Sequence, residues 1–413
     1  MDTTLFRYIK NTFLILVLPL LSCGKINSTP KNKEVTTLRE THKKTLDSII
    51  TGAQQTENYL SLLKNKQIAI VGNPTTVVFS NKRKAVHLVD TLLSHNISIK
   101  KVFAPEHGFR GTADAGEVIK DGIDIKSGLP IVSLYGKNKK PNQKMLEGLD
   151  LIIFDIQDVG ARFYTYISTL HLVMEACAEA NIPVLILDRP NPNGHYVDGP
   201  VLDLKYKSFV GMHPVPIVHG MTIGEYAKMI NGEKWLANGI QCNLSIINLK
   251  NYTHNTPYSL PIKPSPNLPN DVSINLYPSL CLFEGTNISV GRGTNMQFQV
   301  FGSPELPIKD FNFTPKPNLG AHNPKFNKKK CFGRDLRNNN RLKMLNLAYI
   351  IESYNLIENK TTFFNSFFTK LAGNIQLQQQ IESNKNIDEI RASWKIGLDA
   401  FNVKRNKYLL YHY

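Results

Sequence analysis

Residues 151–188, LIIFDIQDVGARFYTYISTLHLVMEACAEANIPVLILD, decide the fold. The stretch opens on the run LIIFD, 151–155, and closes on VLILD, 184–188, each apolar up to a terminal aspartate. Between them Ile167, Leu170, Val173, Met174 and Cys177 recur at helical spacing, which predicts a helix over 163–180. Strands that are apolar without alternation are buried on both faces, as in a parallel sheet covered by helices. Upstream, 68–72 (IAIVG), 99–104 and 131–135 (IVSLY) repeat the strand signal, and Val86, Val89, Leu92 and Leu93 predict a helix over 82–96. The class this implies is α/β, a Rossmann-like doubly wound parallel sheet, with a second, smaller α+β C-terminal domain.

In open parallel sheets ligands bind outside the carboxyl ends of the strands. Three runs end there in polar groups: the second in Glu106-His107, the fourth in Asp155, Asp158 and Arg162, the fifth in Asp188-Arg189 followed by Asn191 and Asn193. Any one of these could be a cap or turn residue. Three converging on one edge point to a binding cleft. The richest end is KVFAPEHGFRGTADAGE, 101–117, where Glu106, His107, Arg110, Asp114 and Glu117 stand among Gly108, Gly111 and Gly116. Chargeable side chains move protons, and glycines let the backbone come close to a ligand. No G-x-G-x-x-G turn follows the first strand, which has Gly72-Asn73-Pro74-Thr75-Thr76 instead, and no P-loop or G-x-S-x-G elbow occurs. Dinucleotide chemistry and the α/β-hydrolase plan are thereby disfavoured, and no cofactor is expected.

Downstream, 189–221 is a long Pro-, Gly- and His-rich segment of the kind that persists mainly where it is functional. Thr222 and Glu225 form a capping box for a helix to about Ile230. Past Gly239 a second region is expected, starting with a strand over 243–248. Its centre is Pro264-Ser265-Pro266-Asn267, Tyr277-Pro278 and CLFEGTNISVGRGT, 281–294. That last piece is another glycine-bounded polar loop, with Glu284, Asn287 and Arg292. Helices are expected over 344–354 and 386–401, and a docked terminal strand over 408–413.

The 413 residues, 42% hydrophobic, suffice for two ordinary cores. A net charge of +16 is scattered and carries no zinc-finger spacing, basic helix or RNA-binding strand. It suits a surface facing an anionic polymer better than a nucleic-acid binder. Arg7 and Lys10 precede an apolar run, 12–21, of signal-peptide length, ending Leu20-Leu21-Ser22-Cys23 like a bacterial lipobox. The expectation is export to the cell envelope, lipidation at Cys23 and membrane attachment through that lipid, then a tether over 24–56. The predicted division is 1–23 leader, 24–56 tether, 57–240 catalytic domain and 241–413 C-terminal domain completing the cleft. Cys177, Cys242, Cys281 and Cys331 show no metal-binding spacing, and no structural metal is expected.

Two glycine-rich loops, each with a glutamate, fit hydrolysis of a polar substrate, for which glycoside cleavage uses paired carboxyl groups. The residues alone leave sugar, phosphate and amide open. The segments FAPEHGFRGTADAGE, LIIFDIQDVGARFYTYI, LDRPNPNG, VDGP, PIVHGMTIGE, PSPNLP and CLFEGTNISVGRGT, in this order, resemble a bacterial family long described only as a domain of unknown function and now as exo-β-N-acetylmuramidases of the NamZ type. The resemblance implies an active site between the two domains and release of terminal N-acetylmuramic acid from the non-reducing end of peptide-free peptidoglycan fragments. It puts the family's catalytic glutamate, in its E-H-G motif, on Glu106, assigned as general acid/base; Glu284 is read beside it as the second carboxylate or, alternatively, as a substrate-binding group. His107, Arg110, Asp155, Arg162, Tyr164, His219, Asn287 and Arg292 become candidates for binding the sugar's hydroxyl, acetamido and lactyl groups. A non-catalytic envelope lipoprotein that binds wall sugars, and an esterase or amidase acting on wall substituents, are the competing readings.

Overall fold

The computed structural model describes residues 48–79, 84–110 and 121–413. The lipobox with Cys23, and Gly111, Asp114, Gly116 and Glu117, lie outside these described residues. The strands are β1 Ile68–Gly72, β2 Val77–Phe79, β3 Ala85–His87, β4 Ile99–Ala104, β5 Gly122–Ile123, β6 Pro130–Ser133, β7 Leu151–Asp155, β8 Val184–Leu187, β9 Leu244–Ile247, β10 Val300–Ser303, β11 Phe311–Phe313 and β12 Cys331–Asp335. The helices are α1 Leu60–Leu63, α2 Leu88–Ser94, α3 Gln143–Leu146, α4 Tyr166–Glu179, α5 Ile223–Gly232, α6 Asp271–Leu280, α7 Ala348–Leu356, α8 Phe367–Ala372, α9 Gln376–Glu382 and α10 Ile387–Arg405.

The main sheet runs β5-β6-β4-β1-β7-β8-β9. Its strands are parallel except β5, which pairs antiparallel with β6 at one edge. Counted in chain order, the six parallel strands lie 3-2-1-4-5-6, so the direction of winding reverses beside β1. Side chains alternate along each strand. Ile68 and Ile70 join Leu88, Leu92 and Ile153 in one apolar layer, while Ala69 and Val71 join Phe154, Leu170 and Met174 in the other. The second layer continues through Phe283, Phe301 and Leu371, so the C-terminal part packs on the α4 side without a break in the core. Helix α4 is therefore buried nearly all round, as expected of a helix between two packed surfaces. A three-stranded antiparallel sheet, β10-β12-β11, lies in the C-terminal part.

Several expectations are corrected by partners remote in sequence. The helix expected over 82–96 starts only at Leu88, because Val86 pairs with Val78 in the β2-β3 hairpin. The helix expected from 163 starts at Tyr166, its approach held by Arg162 N donating to Ile217 O. The strand expected to open a second region is β9, hydrogen-bonded to β8 as the last strand of the main sheet. The terminal segment 408–413 docks without forming a strand: the Tyr411 hydroxyl donates to Asp188 Oδ2 at 2.7 Å and accepts from Leu249 N. The end of the expected tether belongs to the folded body, since Gly52 N donates to Asp188 O and Ala53 is fully buried. A Cβ on Gly52 would lie 2.5 Å from Ile247 O, which is why glycine stands there. The described residues form one compact unit. Among the described residues no helix is long and apolar enough to cross a membrane.

Candidate active site

Strand β4 ends at Ala104, and Pro105 turns the chain into Glu106, His107 and Gly108. His107 and Gly108 both have left-handed backbones, φ 71° and 76°, and Gly108 N closes the turn onto Pro105 O. A histidine held at positive φ is uncommon and is stabilised only by its surroundings. Strand β7 delivers the second wall, leading through 156–165 into α4. The third comes from α6 and the 3-10 turn Cys281–Gly285 that follows it, carrying Glu284. Lys325 fastens this turn by donating from Nζ to the carbonyls of Phe283, Thr286 and Ile288 at 2.5–3.3 Å. Gly285 lies against α8 so closely that a Cβ would sit 2.4 Å from Phe368 Cα.

These walls enclose a cavity of about 320 Å³ lined by Glu106, His107, Tyr164, Glu284 and Arg292 among the expected residues. It falls in the range of small-molecule sites. Glu106 Oε2 accepts from the Thr165 hydroxyl at 2.8 Å. The Tyr135 phenol lines the same cavity; burial first, and then the Glu106 carboxylate, push it well above the usual phenol range. Arg292 Nε donates to Glu284 Oε1 at 3.1 Å, with the guanidinium carbon 4.9 Å from the centre of the Phe298 ring. Burial works against the Arg292 cation, but the Glu284 carboxylate outweighs it and holds the guanidinium above its ordinary value. The Tyr164 hydroxyl is committed to Pro264 O at 2.7 Å, so this side chain presents its ring.

The other expected residues do not line the cavity. Asp155, fully buried, is clamped by Arg189 through Nε at 2.6 Å and a terminal nitrogen at 2.9 Å. Arg162, also fully buried, donates to the carbonyls of Pro200, Val215 and Leu371. Burial pushes its guanidinium down to about 9. Arg110 bridges Asp90 and Asp124. Asn287 donates to Glu305 and, through its main chain, to Phe363 O. His219 is buried with Nε2 3.9 Å from Asp158 Oδ2; burial, then the Arg405 and Arg162 charges, lower it to about 3. Asp158, desolvated, is raised to about 7. These groups fix the walls from behind.

Sequence reasoning missed Tyr135, Thr165 and Phe209, all on the cavity wall. Tyr135 closes the third apolar run, so the carboxyl-edge rule, if extended to hydroxyls, would have reached it. Thr165 fell inside the helix expected over 163–180 and gave no signal of its own. Phe209 gave no local signal. A separate, mainly apolar cavity of about 350 Å³, lined by Pro192, Tyr258, Val272, Leu276 and Arg341 among others, takes Asn193 from the sheet-edge groups and none of the candidate catalytic or sugar-binding residues.

The fold and this cavity define an α/β protein with two carboxylates facing one ligand-sized space, the first after a parallel strand and the second from the C-terminal part. Comparison with known proteins specifies it further: the chain belongs to the NamZ family, matching the model described as exo-beta-N-acetylmuramidase NamZ, N-terminal, over 68–272 and its C-terminal counterpart over 275–411. It is 36% identical over 427 residues to the peptidoglycan beta-N-acetylmuramidase NamZ of Bacillus subtilis (strain 168), covering 97% of this chain and all of that one. Two crystal structures of DUF1343 family proteins from Bacteroides fragilis NCTC 9343 share the fold. One has a TM-score of 0.81 at 48% identity and the other 0.75 at 28%, each covering 88% of this chain and 99% of theirs.

Proposed function

We propose that the protein is a glycoside hydrolase that releases a terminal N-acetylmuramic acid residue from the non-reducing end of peptide-free peptidoglycan fragments, in cell-wall turnover. The observation that carries this reading is the pair Glu106 and Glu284 lining one cavity from different walls in a chain of the NamZ family. Glycoside cleavage needs one carboxyl group that exchanges a proton with the glycosidic oxygen and a second that stays charged. Glu284, ion-paired to Arg292, supplies the charged one. Glu106, held by the Thr165 hydroxyl, is the acid/base. A cavity of about 320 Å³ suits one sugar ring with its substituents, in keeping with exo action. The Tyr164, Phe209 and Phe298 rings give that sugar apolar walls, and the Arg292 fork suits a lactyl carboxylate. The reaction calls for no cofactor.

The wider reading follows the same lines. The 3-2-1-4-5-6 strand order supports a Rossmann-like catalytic domain over 57–240, with the C-terminal part over 241–413 completing the cleft. The lipobox-like Leu20-Leu21-Ser22-Cys23, with Cys23 as the first residue after cleavage, supports an exported lipoprotein held in the cell envelope by its lipid, where a net charge of +16 faces anionic wall polymers.

The deciding experiment incubates the purified protein with a muramic acid-glucosamine disaccharide and follows free sugar. Release supports the proposal; a stoichiometric complex without product would make the protein a binder, and a released substituent without sugar an esterase or amidase. Glu106→Gln should lower turnover of a β-linked chromogenic muramide by about 10²- to 10⁴-fold. A variant working near the wild-type rate would remove Glu106 from the mechanism.

A further inference from the structure

Thr165 occupies the amino cap of α4, where a threonine hydroxyl ordinarily accepts from a free N–H of the first turn. It makes no such bond here. Capping requires an extended backbone at the cap, whereas Thr165 has φ −72° and ψ 0°, already helical, and its Oγ1 donates to Glu106 Oε2 at 2.8 Å instead. The helix has therefore lost a cap that its sequence provides, and the hydroxyl serves the cavity. We propose that Thr165 is a positioning residue: it fixes the Glu106 carboxylate against the start of α4 through a hydrogen bond that strengthens as Glu106 gives up its proton.

The surroundings fit that assignment. Three tyrosines face or flank Glu106. Tyr135 lines the cavity with it and is shifted by its charge, Tyr166 donates to its main-chain oxygen at 3.4 Å, and the Tyr164 ring lines the same cavity. All three are raised by burial and stay neutral hydroxyls across the working range. His107 adjoins Glu106 in the chain, and Glu284 and Arg292 line the same cavity, already engaged with each other. The start of α4, a helix of 14 residues, adds the positive end of its dipole. A hydroxyl donating to an ionised carboxylate is among the stronger hydrogen bonds, and removing it disfavours the anion.

The test reads Glu106 directly, without substrate. Protein labelled with ¹³C at glutamate carboxyl groups is titrated by NMR, the Glu106 signal being assigned by its absence in Glu106→Gln. Thr165→Val, which keeps the shape and removes the hydroxyl, should move the Glu106 midpoint to higher pH by about one unit. Thr165→Ser should restore it. Thr165→Ala serves in place of the valine variant if the latter folds poorly. Thermal melting separates the alternative: a capping role predicts a lowered melting point with an unmoved midpoint, and that result overturns the proposal. The kinetic counterpart, a matching displacement of one limb of the pH–rate profile on the chromogenic muramide, rests on the hydrolase reading. Wild-type protein inactive on that substrate would defeat that reading, while the NMR midpoints would still decide the role of Thr165.

Discussion

Replacing Arg162 with methionine distinguishes a substrate ligand from a buried clamp. The guanidinium joins Pro200 O and Val215 O in the loops after β8 to Leu371 O at the end of α8, 209 residues further along the chain. It also lies directly beneath Gly373, where a Cβ would sit 2.6 Å from one of its terminal nitrogens. Methionine fills much of the volume but strands three carbonyl acceptors, at about 1–3 kcal/mol for each buried group left unsatisfied. Part of this is offset, because among the described residues Arg162 has no carboxylate partner and its charge is costly to bury. A net loss of about 2–4 kcal/mol is expected. With an unfolding entropy of about 2.1 cal/mol/K per residue, summed over the unit from Asp47 to Tyr413, each kcal/mol lowers the melting point by about 1.3 °C. The variant should therefore melt about 3–5 °C early by scanning calorimetry. Its KM for a muramide substrate should stay within about twofold of wild type well below that temperature. A variant that melts with the wild type but has lost substrate affinity would refute the clamp and return Arg162 to the cavity.

Two further outcomes follow from the geometry. Gly285→Ala must push the Glu284 turn away from α8, so activity and melting point should fall together, by about 1–3 kcal/mol in stability; unchanged activity would show that the turn tolerates the shift. His87 is lowered to about 4, by burial and then by the Arg110 charge. Between about pH 6.5 and 4 the unfolded chain therefore binds a proton that the folded chain refuses. This group's contribution is complete above pH 6.5 and is lost on acidification through that window, at up to about 1.4 kcal/mol per pH unit. Urea melts at pH 7 and pH 4.5 should show a smaller acid loss in His87→Asn, and an identical loss in both proteins would contradict the assignment.

What was legible in the sequence was local. The buried strands β1, β4, β7 and β8 announced themselves as uninterrupted apolar runs, and the Thr222 capping box is formed, with Thr222 N donating to Glu225 Oε2. The loops bearing Glu106 and Glu284 stood out by their glycines, and both meet at one cavity. What was not legible was which polar residues at the sheet edge look outward. Asp155 and Arg189 satisfy each other, and Arg162 finds its carbonyls in the chain after β8 and at the end of α8, so the same letters that suggested ligand binding build the scaffold. A strand's membership in a sheet is likewise non-local: β9 reads like an opening strand and is a closing one.

The two extremities of the folded body share one lodging. Ile50 bridges to Lys250, Asn251 donates to Ser48 O, and Tyr411 packs with Leu249 and Tyr252 while its hydroxyl seals Asp188 at the end of β8. Each extremity is thus a wedge behind the other. Clipping the last few residues would loosen the first ones too, and a protease that gained either would find the far edge of the sheet unlatched.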